Sequence, residues 1–108
     1  MVETGPYDHR LALVIAQTLA RLSEVSEITV YTTDFCAYCA RVKGLLKQQG
    51  LQYTEINLSR DPDGRGELVQ RTGMMTFPQV LVGQELVGGY TETAAAAENG
   101  RLQELLAA

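Results

Sequence analysis

The sequence predicts an α/β domain in which a four-stranded mixed sheet is flanked by helices, with an extra helix on the N-terminal side. Three observations carry that expectation. The β-branched run Ile28-Thr29-Val30-Tyr31-Thr32 gives way at Cys36 to apolar spacing of helical period, so a strand feeds a helix there. A second strand follows that helix, and a strand-helix-strand unit needs a right-handed crossover and parallel strands. Two later strands are joined by Gly83-Gln84, a two-residue Gly-X turn that makes them antiparallel. The sheet is therefore mixed, and helices are expected on both of its faces.

The elements follow in order α, β, α, β, α, β, β, α. From about Tyr7 to Ser23, Leu11, Val14, Ile15, Leu19 and Leu22 fall near the i, i+3, i+4 spacing of one helix face. Its apolar stripe either packs on the domain edge or serves a dimer. The first strand, Ile28 to Thr32, ends toward Asp34. After Cys36, Val42, Leu45, Leu46 and Gln49 define a helix with Arg41, Lys43 and Lys47 outside, stopped at Gly50. Residues Tyr53 to Leu58 alternate as a second strand would. Asp61-Pro62-Asp63-Gly64 reads as a turn, and Glu67 to Thr72 as a short helix ended by Gly73. Residues Pro78 to Val82 and Glu85 to Val87 form the hairpin, broken by Gly88-Gly89. The alanine-rich tail from Thr91 is helical, notched at Asn99-Gly100, and turns Leu102, Leu105 and Leu106 toward the core.

A chain of 108 residues, 45% hydrophobic and 20% charged, holds one domain and can build a core without covalent staples. The expected organisation is a single domain over 1–108, with the helical extension at about 7–23 and the core at about 27–108. Nine Lys and Arg against thirteen Asp and Glu give a formal charge of −4, which argues against nucleic acid and against a polybasic membrane-surface role. The start, Met1-Val2-Glu3-Thr4, lacks the basic region of an export signal, and the apolar run Leu11 to Ala16 is too short to span a bilayer. A soluble, cytoplasmic protein is expected. In a reducing cytosol a close cysteine pair points to catalysis or metal binding rather than to a structural disulfide.

That pair is Cys36-Ala37-Tyr38-Cys39, a C-x-x-C where a strand becomes a helix. First-turn amide N–H groups have no intrahelical acceptor, and the macrodipole concentrates positive charge there. A thiolate at that spot is stabilised over the thiol, and the thiolate is the nucleophile. Cys36 is on the loop side and is assigned the attack; Cys39, one turn inside, can reach back to resolve a mixed disulfide. Arg41 and Lys43 add positive charge nearby, although with Lys47 they also read as an ordinary solvated face. Structural zinc needs four ligands, whereas this chain has two cysteines and one distant His9, so only a dimer-bridging site would satisfy it.

Further along stand Thr76-Phe77-Pro78 and then Gly88-Gly89-Tyr90. Taken alone, Pro78 is a strand-initial proline, Gly88-Gly89 a turn, and Tyr38 either packing or a substrate contact. Together with Val30-Tyr31-Thr32, the C-x-x-C and the closing Gly100-Arg101-Leu102, these segments resemble a dithiol glutaredoxin of the thioredoxin-like superfamily, from about Glu27 to Ala108. That family carries C-P-Y-C, then T-V-P with a cis proline, then a G-G-x-[SD]-D turn, in this order and at this spacing.

The resemblance implies a thioredoxin-like (glutaredoxin) fold and a glutathione-dependent thiol-disulfide oxidoreductase acting on protein-glutathione mixed disulfides and protein disulfides. It implies that Cys36 carries glutathione and Cys39 resolves it. Thr76 and Phe77 would line the glutathione cysteine with backbone groups, and the Phe77-Pro78 bond would be cis. Gln70 would approach the glycine carboxylate, while Gly89, Thr91 and Glu92 would receive the γ-glutamyl end and Tyr38 would contact substrate. The partners implied are glutathione and glutathionylated or disulfide-containing proteins, met by a monomer that requires no metal or prosthetic group. Five residues depart from the pattern: Thr33 stands for a lysine, Ala37 for proline, Phe77 for valine, and Thr91-Glu92 for the Ser/Asp-Asp pair. Two alternatives accompany this reading: a glutathione-ligated [2Fe-2S] cluster bridging a dimer through Cys36, and a redoxin reduced by thioredoxin reductase.

Overall fold

The structure is a computed structural model and describes residues 27–107. The helix expected over about 7–23 lies outside the described residues. The described elements are β1 (Ile28–Thr32), α1 (Ala37–Gln48), β2 (Tyr53–Asn57), α2 (Pro62–Thr72), β3 (Gln79–Val82), β4 (Glu85–Gly88), α3 (Tyr90–Asn99) and α4 (Arg101–Ala107).

The sheet runs in the order β2-β1-β3-β4. Strand β1 pairs in parallel with β2, Ile28 opposite Tyr53 and Thr32 opposite Asn57, and antiparallel with β3, Ile28 opposite Val82. The hairpin closes with Val82 opposite Glu85, and a register shift between Val80 and Leu81 lets Val80 face Gly88. Gly83 opens the turn at φ 59°, a left-handed conformation that a glycine adopts without a Cβ clash. The mixed four-stranded sheet is therefore the one expected.

Side-chain alternation divides the core between the two faces. Ile28, Val30, Val80 and Val82 pack with Val42 and Leu46 of α1, Ala96 of α3 and Leu102 of α4. Leu105 and Leu106 pack against this cluster, as the tail pattern predicts. On the opposite face, Gln79 meets α2 through Thr72, whose Oγ1 donates to Gln79 Oε1 at 2.8 Å. Leu68 of α2 is buried, and so is Leu81, two residues beyond Gln79 on β3.

Three boundaries differ from expectation. Helix α2 starts at Pro62: Asp61 is its N-cap, taking the Gly64 N–H on Oδ1 at 2.9 Å, and the proline sits where its lost N–H costs no helical bond. What reads as a turn is thus the first turn of the helix. The tail is two helices, because Gly100 at φ 89° ends α3 before α4 begins. Gln49, expected on the apolar face of α1, is its exposed C-cap.

Gln79 is fully buried and anchors the segment entering β3, its Nε2 donating to the carbonyls of Met74 at 3.0 Å and Thr76 at 3.1 Å. Replacing it with leucine keeps the volume but removes the donor to the Met74 and Thr76 carbonyls, while Thr72 Oγ1 keeps its bonds to the Leu68 carbonyl and the Met74 N–H. Gln79→Leu is expected to lower the unfolding free energy by about 1–3 kcal/mol, read as a lower urea midpoint at unchanged slope.

Candidate active site

The loop between β1 and α1 is tied to the end of β2. The Asp34 N–H donates to Ser59 Oγ at 2.6 Å, Asn57 Nδ2 donates to Asp34 Oδ1 at 2.9 Å, and the Ser59 N–H donates to Asn57 Oδ1 at 2.9 Å. Phe35 then turns the chain through a left-handed φ of 57°. Cys36 returns to extended backbone, φ −110° and ψ 107°, as the N-cap of α1.

In that position the Cys36 sulfur accepts the Cys39 N–H at 3.2 Å, taking up one of the unpaired donors of the first turn. On its other side the Cys36 thiol donates to the Phe77 carbonyl at 3.7 Å. The Phe77-Pro78 peptide bond is cis, as the resemblance implies. Residues 41 positions apart thus meet at one sulfur. Both cysteines are free thiols; Cys36 is half-buried and Cys39 buried, at 3% exposure.

Burial pushes the Cys39 thiol up from 9.0 to about 12, with the hydrogen bond to Cys36 adding to the rise. The Thr33 backbone and the Lys43 ammonium act in the opposite direction. Lys43 is not a free charge beside the site, as the sequence suggests. Its Nζ contacts both Glu55 oxygens at 3.2 Å, and Thr32 Oγ1 donates to Glu55 Oε2 at 2.8 Å. The Thr32 bond, ahead of the lysine, holds the Glu55 carboxyl below its usual value. Arg41 instead lies over the Tyr38 ring, 5.2 Å from its centroid.

A groove of about 410 Å³ is lined by Tyr38, Met74, Thr76, Phe77, Pro78, Gly89, Tyr90, Thr91 and Glu92. Of the residues matched from sequence, Tyr38, Thr76, Phe77, Pro78, Gly89, Thr91 and Glu92 converge there. Gln70 does not: it is exposed on α2 and outside the lining. The sequence does not single out Met74, and it marks Tyr90 only as part of the Gly88-Gly89-Tyr90 segment, with no role. Tyr90 follows the glycine pair directly, and its ring centroid stands 6.1 Å from that of Tyr38.

Glu92 is already engaged, since its Oε1 accepts the Gly89 N–H at 2.8 Å and closes the start of α3. Gly88 makes this fit: at φ 129° a Cβ there would stand 2.8 Å from Glu92 Cβ. Among the described residues no three His, Cys, Asp or Glu side chains gather as a metal site.

Comparison with known proteins matches residues 28–87 to the glutaredoxin family model. A glutaredoxin of Pseudomonas aeruginosa is 38% identical over 81 residues, covering 75% of this chain and 96% of that protein. Glutaredoxin 3 of Escherichia coli K12 is 30% identical over 82 residues, covering 76% of this chain and 99% of that protein. The crystal structure of a buckwheat glutaredoxin-glutathione complex superposes with a TM-score of 0.68 at 29% identity, covering 93% of this chain and 94% of that one. With a helix-capping Cys36, a buried Cys39 and the groove beside them on the glutaredoxin fold, the chain belongs to the glutaredoxin family of thiol-disulfide oxidoreductases.

Proposed function

We propose that this chain reduces protein-glutathione mixed disulfides and protein disulfides in a reducing cytoplasm, with Cys36 as nucleophile, Cys39 as resolving thiol and glutathione as co-substrate. The observation that supports this reading is the half-exposed Cys36 sulfur between the Cys39 N–H and the Phe77 carbonyl, beside a groove of tripeptide size. The glutathione complex of the buckwheat relative supports glutathione as the occupant.

In the first step the Cys36 thiolate attacks the glutathione sulfur of the mixed disulfide. A new Cys36-glutathione S–S bond forms, the old S–S bond breaks, and the protein thiolate leaves and takes a proton. A second glutathione thiolate then attacks the glutathione sulfur on Cys36, releasing glutathione disulfide and regenerating the thiolate. With a protein disulfide Cys36 bonds one protein sulfur while the protein S–S bond breaks and the other sulfur leaves as a thiol; Cys39 then gives up its proton and attacks the Cys36 sulfur, the second protein thiol leaves, and two glutathiones reduce the resulting Cys36-Cys39 disulfide as they become glutathione disulfide.

The protonation states favour this order. Cys39 stays a thiol while Cys36 is free, because burial and the Cys36 sulfur both oppose its charge. Within a disulfide Cys36 no longer adds to that opposition; burial, the first cause, persists, and the Thr33 backbone and Lys43 act against it. In the cluster alternative, Cys36 from each of two chains and the thiols of two glutathiones would supply the four sulfur ligands, and buried Cys39 would stay unligated. Turnover by thioredoxin reductase without glutathione is the other outcome of the same assay.

Cys36→Ser is expected to abolish all exchange, because a serine hydroxyl is scarcely ionised at neutral pH. Cys39→Ser is expected to retain reduction of a glutathionylated peptide and to lose reduction of a protein disulfide. A coupled glutathione reductase assay reads both, and the reverse pattern overturns the assignment. Cys39 also sets a pH dependence of stability. Between pH 9 and about 12 the unfolded chain has lost the Cys39 proton that the folded chain keeps, so the contribution is intact below pH 9 and is lost as pH rises toward 12. Urea unfolding across that window is expected to show a shallower decline in Cys39→Ala.

A further inference from the structure

Phe35 is the one non-glycine residue at positive φ among the described residues, at 57°, and its side chain is fully exposed at 106% of the reference area. An aromatic side chain in the left-handed region is an outlier, and one bare to solvent immediately before a nucleophile contributes nothing to the core. Neither the loop's hydrogen bonds nor the groove uses it: Asp34, Asn57 and Ser59 tie the loop down, and Phe35 does not line the groove. Met75, next to the groove-lining Met74 and Thr76, is also exposed, at 79%. Arg41 is exposed over Tyr38 and makes no ion pair among the described residues.

A mixed disulfide has two halves. If the proposed reading holds, the glutathione half fills the groove, and the polypeptide half has only the rim to lie against. That rim offers exposed Phe35 and Met75 and an unpaired guanidinium, whereas the groove's one charged lining residue is Glu92. We infer that Phe35 is a specificity residue for polypeptide substrates: its ring is covered by an apolar side chain adjacent to the substrate cysteine, while Arg41 meets an acidic residue nearby. The occupant is thus a protein segment carrying a cysteine mixed disulfide flanked by apolar and acidic residues. This inference rests on the proposed function. The chemistry is unchanged: the Cys36-glutathione bond forms, the glutathione-substrate bond breaks, and the segment leaves as a thiol.

The test uses glutathionylated peptides that differ only at the residue beside cysteine, Leu against Ser, with a second pair carrying Glu against Gln one residue further. Bis(2-hydroxyethyl) disulfide with glutathione serves as the small substrate. The wild-type chain is expected to favour Leu over Ser about tenfold in kcat/KM and Glu over Gln about threefold. Phe35→Asn keeps a residue that tolerates the left-handed backbone, and Phe35→Gly removes the strain. Both are expected to lose the Leu preference and leave small-disulfide turnover unchanged. Arg41→Gln is expected to lose the Glu preference alone.

Equal rates for Leu and Ser peptides in the wild type, or a preference that survives in Phe35→Asn, overturns the inference. A parallel loss of small-disulfide turnover in both Phe35 variants overturns it too, because the ring would then be ordering Cys36. A missing Glu preference removes the acidic flank from the proposed partner. Single-turnover transfer of glutathione from each peptide to Cys36, read by mass, needs no reductant. It reports the preference even where steady-state turnover with glutathione fails, which keeps the two readings separable.

Discussion

A helix that begins at Ala37 leaves its first amide groups without intrahelical acceptors, and the Cys36 sulfur takes up the one at Cys39 at 3.2 Å. One hydrogen bond thus both satisfies the start of the helix and fixes the place of the sulfur. The rest of the site depends on holding that sulfur at the helix end. The Asp34-Asn57-Ser59 network fixes the preceding loop to β2, and β3, beside β1 in the sheet, brings the Phe77 carbonyl against the sulfur's other side. Val42 and Leu46 anchor the helix in the core, so the cap is presented from a rigid element.

The same geometry separates two chemically identical side chains. One turn inside α1, Cys39 loses water and acquires a neighbouring sulfur, and both effects keep its proton on. Cys36, at the cap, keeps access to solvent and to the groove. The two cysteines of the C-x-x-C therefore differ by position along the first helical turn rather than by residue type.

Much of this was legible in sequence because period and turn chemistry are local. The change from strand to helical spacing at Cys36 located the helix start that carries the cysteine pair, and Gly83-Gln84 located the hairpin. The Asp61-Pro62 start of α2 was misread because capping residues and turn residues are the same types; only the Gly64 N–H bond to Asp61 distinguishes them. Partner choice was not legible. Lys43 on α1 stands twelve residues before the Glu55 of β2 that neutralises it, and Gln79 reads as an unremarkable strand residue until Thr72, Met74 and Thr76 converge on it. Gln70 shows the limit of matching by spacing: its interval to Pro78 fits the resemblance, but its exposed place on α2 leaves it outside the groove.

The groove's charge has a further consequence for recognition. No Lys or Arg lines it, and the position where the resemblance expects a lysine holds Thr33. Its one acidic residue, Glu92, is engaged by the Gly89 N–H, and the Thr93 N–H already bonds the Gly89 carbonyl at 3.0 Å. The N–H groups of Tyr90, Thr91 and Glu92 at the start of α3 have no carbonyl four residues back within the helix. If the proposed reading holds, a carboxylate of the bound thiol meets amide dipoles there rather than mobile cations, beside the Thr76-Phe77-Pro78 edge and the Tyr38 and Tyr90 rings. Arg41 and fully exposed Phe35 stand outside that lining, so the discrimination inferred between polypeptide substrates falls on the half of the disulfide that the groove does not hold.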